Sequence, residues 1–212
     1  MKTIDFYLDF VSPYAYLAFH ALPGALQGLS HQVVYRPVLL GALFKHHGQV
    51  APPEIPAKRA HIYRHVLWLA QQQGVPLQLP AQHPFSPLGP LRLALACSDC
   101  GCVNRYVAET VFAHVWQGGA DAADAQRLAE LAQRLQPQRE PTGDAVKQDL
   151  RANTDAALAL GAFGVPTFAV DGRCFWGLDA LPMVRAAVAG DPSLDAIDAQ
   201  VAACQRPAAR AT

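Results

Sequence analysis

The segment IDFYLDFVSPYAYLA, residues 4–18, joins the pattern of a β-strand directly to the start of a helix. Its first part, residues 4–10, is rich in β-branched and aromatic side chains with loose alternation, which is typical of a strand. Ser12 is a favourable helix N-cap, and Pro13 suits the first turn because proline lacks the N–H that this turn leaves unpaired. The segment therefore predicts a strand that runs into a helix at residue 12.

Downstream of this junction the helical pattern continues and then gives way to a second strand. Apolar side chains recur at helical spacing as far as Leu26, and we expect Pro23 to kink or end the regular part of the helix. Residues 32–37 have the composition of a strand. The order strand, helix, strand favours a parallel pair joined by a right-handed crossover.

Strand character returns near the other end of the chain, at residues 166–170. The Asp171-Gly172 pair that follows favours a tight turn, so residues 173–176 are predicted to form the return strand of a hairpin. A helix is expected from residue 179 to residue 189. The C-terminal part of the chain thus has the order strand, strand, helix.

The region between these two units has a helical pattern, from about residue 40 to residue 160. A proline-rich stretch at residues 78–90 is predicted to be a loop. We predict helices at residues 58–73, 91–100, 104–117, 124–136 and 143–160. The whole order predicts an α/β protein that has a thioredoxin-like fold with a large all-helical insertion.

The predicted domain boundaries follow from the changes in this pattern. The thioredoxin-like domain would comprise residues 1–40 and 160–204, and the inserted helical domain residues 41–159. Residues 205–212 are expected to be a frayed tail, because chain ends are poorly ordered unless other elements hold them.

The composition restricts the classes of partner and the cellular location. Apolar residues make up 51% of the 212 residues, which excludes a disordered chain, and 17 basic residues balance 17 acidic ones without a basic run. Nucleic acid or an anionic membrane is therefore not supported as a partner. No run approaches the roughly 18–20 apolar residues of a membrane span. Because Asp5 interrupts the first apolar stretch, a signal peptide is not indicated and we expect a cytoplasmic protein. Five cysteines, an odd number, are then expected to be mostly reduced thiols.

Ser12 is the first candidate for chemistry. The start of a helix presents unpaired N–H groups and the positive end of the helix dipole, which can stabilise a thiolate. Disulfide oxidoreductases carry a Cys-x-x-Cys motif at such a junction, but here Ser12 and Ala15 occupy the two cysteine positions, which excludes thiol–disulfide exchange by this motif. A serine can still donate a hydrogen bond to the thiolate of a bound thiol. The alternative is that Ser12 only caps its helix.

The second candidate is Gly164-Val165-Pro166-Thr167-Phe168, directly before the strand–strand–helix unit. In thioredoxin-like folds the proline at this position is cis and faces the start of the first helix. The backbone of its neighbour can then pair, as a strand would, with an extended thiol peptide. The tripeptide Val-Pro-Thr alone is a weak indication of this fold, and its position directly before the strand–strand–helix unit makes it more specific.

Together these motifs resemble a known family: the kappa-class glutathione transferases and 2-hydroxychromene-2-carboxylate isomerases, within the DsbA-like thioredoxin superfamily. The matching pieces occur in the family's order and cover most of the chain. They are residues 5–18, 56–59, 83–88, 164–168 and 175–179.

The resemblance implies glutathione as the cofactor. Ser12 would hold the glutathione sulfur as a thiolate, and the backbone of Val165 beside Pro166 would pair with the cysteinyl residue. The γ-glutamyl end would be received at the start of the last helix by a segment of four residues: Trp176, Gly177, Leu178 and Asp179. Without the resemblance, Asp179 would be read as the N-cap of that helix. A homodimer is also expected.

The implied activity is a glutathione-dependent isomerisation of an aromatic carboxylate, in which the thiolate adds to the substrate and later leaves. The substrate carboxylate needs a cation or donor, for which Lys45, Lys58 and His83 are the candidates; each could equally be a solvated surface residue. The chain departs from the family at Gln49, at Leu178 and at Ala180, which stands where an arginine is usual.

Two rival functions remain. The first is a kappa-type transferase or peroxidase acting on a hydrophobic electrophile, which a cationic wall around Lys45 and Lys58 would distinguish from the isomerase. The second is a non-catalytic thioredoxin-like module that binds a peptide at the Pro166 edge.

Three further patterns are given less weight. Cys97, Cys100 and Cys102 lack the fourth ligand of a structural zinc site, and their stretch is expected to be plain helix. His61 and His65 lack the glutamate and third ligand of a zinc hydrolase, so no metal is expected. Ser12 is not in the Gly-x-Ser-x-Gly context of a serine hydrolase.

Overall fold

The computed structural model describes residues 1–204, and the predicted frayed tail, residues 205–212, lies outside the described residues. Within the described part, four strands and nine α-helices alternate with two short 3-10 helices, Pro52–Glu54 and Leu178–Ala180. The strands are β1 (Lys2–Leu8), β2 (His31–Pro37), β3 (Thr167–Val170) and β4 (Arg173–Trp176). The helices are α1 (Pro13–Ala25), α2 (Leu40–His46), α3 (Pro56–Gln73), α4 (Leu88–Ala96), α5 (Arg105–Trp116), α6 (Ala125–Leu135), α7 (Asp144–Ala159), α8 (Leu181–Ala189) and α9 (Ser193–Ala203).

The four strands form one mixed sheet in the order β2-β1-β3-β4. β1 and β2 are parallel, with Ile4 opposite Val33, while β3 is antiparallel to both β1 and β4. Asp171 and Gly172 both have positive φ, 50° and 81°, as a tight hairpin turn between β3 and β4 requires. The sheet therefore joins the two ends of the chain, which confirms the predicted thioredoxin-like fold.

The central strand β1 is buried on both faces. Phe6 and Leu8 point into the main core, which also holds apolar side chains of α1, α5 and α8. Tyr7 points to the other face, where it joins a smaller core with Val38 and Ala157. Because both faces are covered, the end of β1 is held firmly where it meets α1.

The helical region packs against the same core and does not stand apart from the sheet. Trp116 of α5 is fully buried and donates a hydrogen bond of 2.9 Å from its indole Nε1 to the carbonyl of Phe10. On the other face, the Asn153 side-chain amide of α7 donates to the Pro37 carbonyl at the end of β2, at 3.0 Å. The division into residues 1–40 with 160–204, and residues 41–159, remains our proposal.

Several predicted helix ends need correction. α1 continues past Pro23 to Ala25, because a proline in the last turn removes only one backbone donor. α4 begins at Leu88, inside the predicted loop at residues 78–90, and ends at Ala96. Asp179 makes no capping hydrogen bond; it lies inside the 3-10 helix that precedes α8.

The cysteine prediction also needs correction. Cys100 and Cys102 form a disulfide, whereas Cys97, Cys174 and Cys204 are free. The stretch is not plain helix, because α4 has already ended and Gly101 adopts a positive φ of 65° between the two bonded cysteines. Three of the five thiols are therefore reduced, and the pair that is bonded is not the Cys97-x-x-Cys100 pair. In residues 1–204, no helix combines the length and the apolar character needed to span a membrane.

Candidate functional site

Ser12 caps α1 and is 6% exposed. Its backbone is extended, and its hydroxyl oxygen accepts a hydrogen bond from the Ala15 N–H at 3.2 Å. The hydroxyl proton is directed towards the Val165 carbonyl at 3.4 Å, a long hydrogen bond. The capping role is therefore present, and the proton of the hydroxyl is held only weakly.

The contact with Val165 brings the two candidate motifs together, although 153 residues separate them in the chain. The Val165–Pro166 peptide is cis, like the proline at this position in thioredoxin-like folds. The Val165 N–H donates to no backbone acceptor among the described residues, and the Pro166 carbonyl accepts from the Gly177 N–H at 2.9 Å. The backbone just before β3 thus offers two groups beside Ser12. The Val165 N–H is a free donor, and the Val165 carbonyl is an acceptor that Ser12 engages only weakly.

These groups lie in a cleft of about 530 Å³. Its walls are the start of α1, one side of α2, the loop around Pro52–Glu54, the proline-rich loop at residues 83–87 and the segment at residues 163–165. Among the described residues, no lysine or arginine lines it. The lining side chains with polar atoms are Ser12, Tyr14, Gln49, Glu54, His83 and Trp176. The cleft is therefore mainly apolar.

The predicted glutathione-binding residues fall into two groups. Ser12, Val165 and Trp176 line the cleft itself. The other four lie directly behind it, at the cis peptide and the end of β4: Pro166, Gly177, Leu178 and Asp179. Asp179 is exposed. Burial raises the pKa of the Tyr14 phenol, and the negative charge of the nearby Asp179 raises it further.

The two predicted substrate lysines are exposed and do not line the cleft. Lys45 lies in the last turn of α2 and follows Phe44, which is a lining residue. Lys58 lies in the first turn of α3, one turn before the lining residue Ile62. Both lysines are thus neighbours of lining residues and not lining residues themselves.

His83 lines the cleft, and both of its ring nitrogens already have partners. Its Nε2 donates to the Val11 carbonyl at 2.8 Å, which places the ring proton on that nitrogen, and its Nδ1 contacts the Tyr63 hydroxyl at 2.8 Å. Burial lowers the pKa of His83. Both ring nitrogens of His83 are thus engaged, and its contact with the Val11 carbonyl joins the proline-rich loop to the residue before Ser12. The role of His83 towards a substrate carboxylate stays a prediction.

Asp9 is a residue of the site whose role the sequence did not reveal. It is fully buried three residues before Ser12, and its two carboxyl oxygens accept from the Val11 N–H at 3.1 Å and the Leu40 N–H at 2.9 Å. Its carbonyl also accepts from the Ser12 N–H. Burial raises the pKa of Asp9 to about 7. The available signal was an acid within an apolar strand, which is rarely buried unless it has such partners.

The raised pKa of Asp9 predicts a pH dependence of stability. The folded state keeps the proton that the unfolded state releases, so this contribution is present below about pH 4 and is lost as pH rises to about 7. The free energy of unfolding of the wild type minus that of Asp9→Asn should fall across this window, by up to about 1.4 kcal/mol per pH unit. Buried histidines such as His114 titrate in the opposite direction, but they cancel in this difference. Denaturant unfolding from pH 4 to pH 8 measures it; a flat difference would contradict the assignment.

Gly164 allows Trp176 to pack against the backbone at the cleft. A Cβ atom at residue 164 would lie 2.7 Å from the indole Nε1 of Trp176, which is too close. We therefore expect Gly164→Ala to lower the free energy of unfolding by about 1–3 kcal/mol, the usual cost of overpacking. Gly24→Ala is the matched control, because its Cβ would meet nothing within 4 Å and the change sits in a helix. Equal effects in the two variants would argue against the close contact.

Comparisons with known proteins agree with this geometry. The sequence matches the DSBA-like thioredoxin domain over residues 3–189. It is 30% identical over 197 residues to the 2-hydroxychromene-2-carboxylate isomerase of Pseudomonas sp. (strain C18), covering 89% of this chain and 91% of that protein. It is 25% identical over 201 residues to glutathione S-transferase kappa 1 of Rattus norvegicus, covering 86% and 90%.

A solved 2-hydroxychromene-2-carboxylate isomerase superposes with a TM-score of 0.75 at 24% identity, covering 94% of this chain and 98% of that structure, which supports the fold. The domain match spans nearly the whole described sheet and both motifs that meet at Ser12. The chain therefore belongs to the DSBA-like thioredoxin domain family, and its curated relatives include 2-hydroxychromene-2-carboxylate isomerases and kappa-class glutathione transferases.

Proposed function

We propose that this protein is an enzyme that uses the thiolate of bound glutathione on a hydrophobic aromatic substrate. The observation that supports it most is the 3.4 Å contact between the Ser12 hydroxyl and the Val165 carbonyl at the edge of an apolar cleft. Three features lie together at this contact: the weakly held hydroxyl proton of Ser12, the start of the 13-residue helix α1 and the unpaired N–H of Val165. A cysteinyl thiol peptide needs these three features in order to bind as a thiolate.

In the proposed complex, the cysteinyl residue of glutathione pairs with the Val165 backbone. Its carbonyl accepts from the Val165 N–H, and its N–H donates to the Val165 carbonyl in place of Ser12. The Ser12 hydroxyl is then free to donate to the glutathione sulfur, while its oxygen continues to accept from the Ala15 N–H. The positive end of α1 favours the negative charge on the sulfur.

The γ-glutamyl end of glutathione is assigned to the turn after β4. Asp179 would pair with the ammonium group, and the N–H groups around Gly177 and Leu178 would receive the carboxylate. Gly177 is required there for two reasons. Its φ is 105°, which L side chains rarely adopt, and an added Cβ atom would clash with the Asp179 carboxylate. Trp176 would cover the peptide from the side of the cleft.

For the substrate, we propose an aromatic carboxylate similar to 2-hydroxychromene-2-carboxylate, and an isomerisation in which the thiolate adds to the substrate and then leaves. The apolar cleft suits the ring, and Lys45 and Lys58 at the mouth suit a carboxylate that stays partly hydrated. Three relatives with the name of this isomerase are 28–30% identical to the chain, more than three kappa-class relatives at 23–25%.

A second candidate is a transferase or peroxidase acting on an uncharged hydrophobic electrophile. The specific observation in its favour is that no lysine or arginine lines the cleft in the described part of the chain, whereas the acid Glu54 does. A carboxylate buried in the cleft would find no cation there to offset its desolvation cost. An uncharged ring would be buried without that cost.

One experiment separates these functions. The purified protein is assayed with glutathione on 2-hydroxychromene-2-carboxylate and on an uncharged aromatic electrophile, with free thiol measured in parallel. The isomerase restores glutathione in each turnover, so its thiol is not consumed; the transferase consumes one thiol per product. Lys45→Met and Lys58→Met should raise KM for the carboxylate only. Absence of glutathione binding at millimolar concentration would leave the non-catalytic binding module.

A further inference from the structure

A second cavity, of about 380 Å³, lies between α2, α4 and α7. Leu39, the residue before α2, lines both cavities. Within α2, the second cavity is lined by Ala42 and the glutathione cleft by Leu40, Gly41 and Phe44, so the two cavities are neighbours that share Leu39. None of the glutathione-binding or substrate residues considered above lines the second one.

Arg92 of α4 lines this cavity and has no partner in the described part of the chain. Its Nε atom is buried without a hydrogen bond, and its guanidinium takes part in none of the ion pairs. Arg139 provides the contrast: its Nε is also unbonded, but its terminal nitrogen contacts Asp149 and the Leu95 carbonyl, each at 2.7 Å. Arg92 is half-buried as a residue, and its Nε is the atom that is buried without an acceptor, which costs stability until a ligand oxygen accepts from it.

The rest of the lining adds positive charge and apolar surface. Lys147 and Arg151 of α7 face the cavity together with a single acid, Asp155. Arg151 and Asp155 are one turn apart, yet no ion pair joins them. Lys147 pairs with Asp144 at 3.1 Å, which offsets its charge, so Arg92 and Arg151 are left against Asp155. The remaining charge of the lining is positive and favours an anion.

The apolar part of the lining limits the kind of anion. The remaining wall is Leu39, Ala42, Leu88, Leu150 and Thr154, whose hydroxyl is already bonded to the Leu150 carbonyl and the Leu39 N–H. A fully hydrated inorganic anion would therefore lie mostly against hydrocarbon. A planar carboxylate matches the forked geometry of a guanidinium and forms two parallel hydrogen bonds with it. A hydrocarbon body on the same ligand would cover the leucines.

We propose that this cavity is a second ligand site, which binds a small organic monocarboxylate through Arg92. The carboxylate pairs with the guanidinium of Arg92. Arg151 contributes long-range attraction, and the apolar body packs on the leucines. The site does not depend on glutathione, so a negative result for the proposed enzyme activity would not affect this proposal.

The test uses para-bromobenzoate as the probe and the full chain. Crystals soaked with it should show an anomalous bromine peak beside Leu88 and Leu150, and calorimetric titration should show a saturable site. Arg92→Gln should weaken that site at least about tenfold, the usual loss for a charged hydrogen bond. Arg92→Lys, which keeps the charge but loses the fork, should fall between the two.

Arg134→Gln is the matched control, because Arg134 lies on α6 and lines neither cavity. It should bind the probe like the wild type, and glutathione binding should be unchanged in all variants. Bromine only in the glutathione cleft, or equal affinity of wild type and Arg92→Gln, would overturn the proposal. Saturable inorganic phosphate at Arg92 without bromobenzoate would also overturn it, since the ligand class would then be wrong. Melting curves confirm that each variant is folded.

Discussion

Ser12→Ala is expected to lower kcat with glutathione by about 100-fold or more, the usual loss when a donor to a developing or resting anion is removed. The reason is that no other described side chain places a hydroxyl at both the start of α1 and the Val165 carbonyl. The free energy of unfolding should change much less, by about 0.5–2 kcal/mol for a lost helix cap. Steady-state kinetics and denaturant unfolding of the same preparation measure both quantities.

The matched control for this variant is Asp124→Ala. Asp124 caps α6 in the same way, with its side chain accepting from the Arg127 N–H at 2.9 Å, but it does not line the cleft. It should lose similar stability and keep full kcat. If Ser12→Ala melts lower than the wild type but retains full turnover, Ser12 is only a cap and thiolate activation is excluded.

Asp179→Ala is expected to weaken glutathione binding by about 10- to 100-fold, because a hydrogen bond to a charged group contributes about 1.5–3 kcal/mol. The kcat at saturating glutathione should remain close to that of the wild type, since Asp179 would contact the γ-glutamyl ammonium and not the sulfur. Its side chain is exposed and caps no helix in the structure, so stability should hardly change. Calorimetric titration with glutathione gives the affinity.

Asp198→Ala controls for the loss of a surface acid. Asp198 of α9 pairs with Arg173 at 2.7 Å on the exposed surface and is not a lining residue of the cleft. It should bind glutathione like the wild type. If Asp179→Ala binds glutathione with wild-type affinity, the assignment of the γ-glutamyl end to the turn after β4 is wrong. The role proposed for Ser12 would not be affected.

The sheet and its order could be predicted from the sequence because each end of the chain carries local signals. The Ser12-Pro13 helix start, the Asp171-Gly172 turn and the strand patterns around them depend on neighbours within a few residues. The meeting of Ser12 with Val165 is a contact across 153 residues, yet it follows once the fold is known, because both motifs lie at the same edge of the sheet. That part of the site was therefore accessible.

The remaining features depend on packing that no local pattern encodes. Asp9 is an ordinary acid in the sequence, and the second partner of its buried carboxyl, the Leu40 N–H, arrives from α2, 31 residues away. His83 has the residue type of a ligand, but Tyr63 and the Val11 carbonyl occupy its ring nitrogens. The unbonded Nε of Arg92 likewise depends on packing, because Asp155 of α7 lines the same cavity but forms no ion pair with Arg92.

The most direct test of thiolate activation is a pH titration of the far-ultraviolet absorbance of glutathione bound to the protein, with free glutathione as reference. An unperturbed thiol has a pKa of about 8.5. We expect the pKa of the bound thiol to lie clearly below that of free glutathione, and the difference to shrink in the Ser12→Ala variant. A bound thiol with the same pKa as free glutathione, in a complex that demonstrably forms, would contradict the proposal that this cleft holds glutathione as a thiolate.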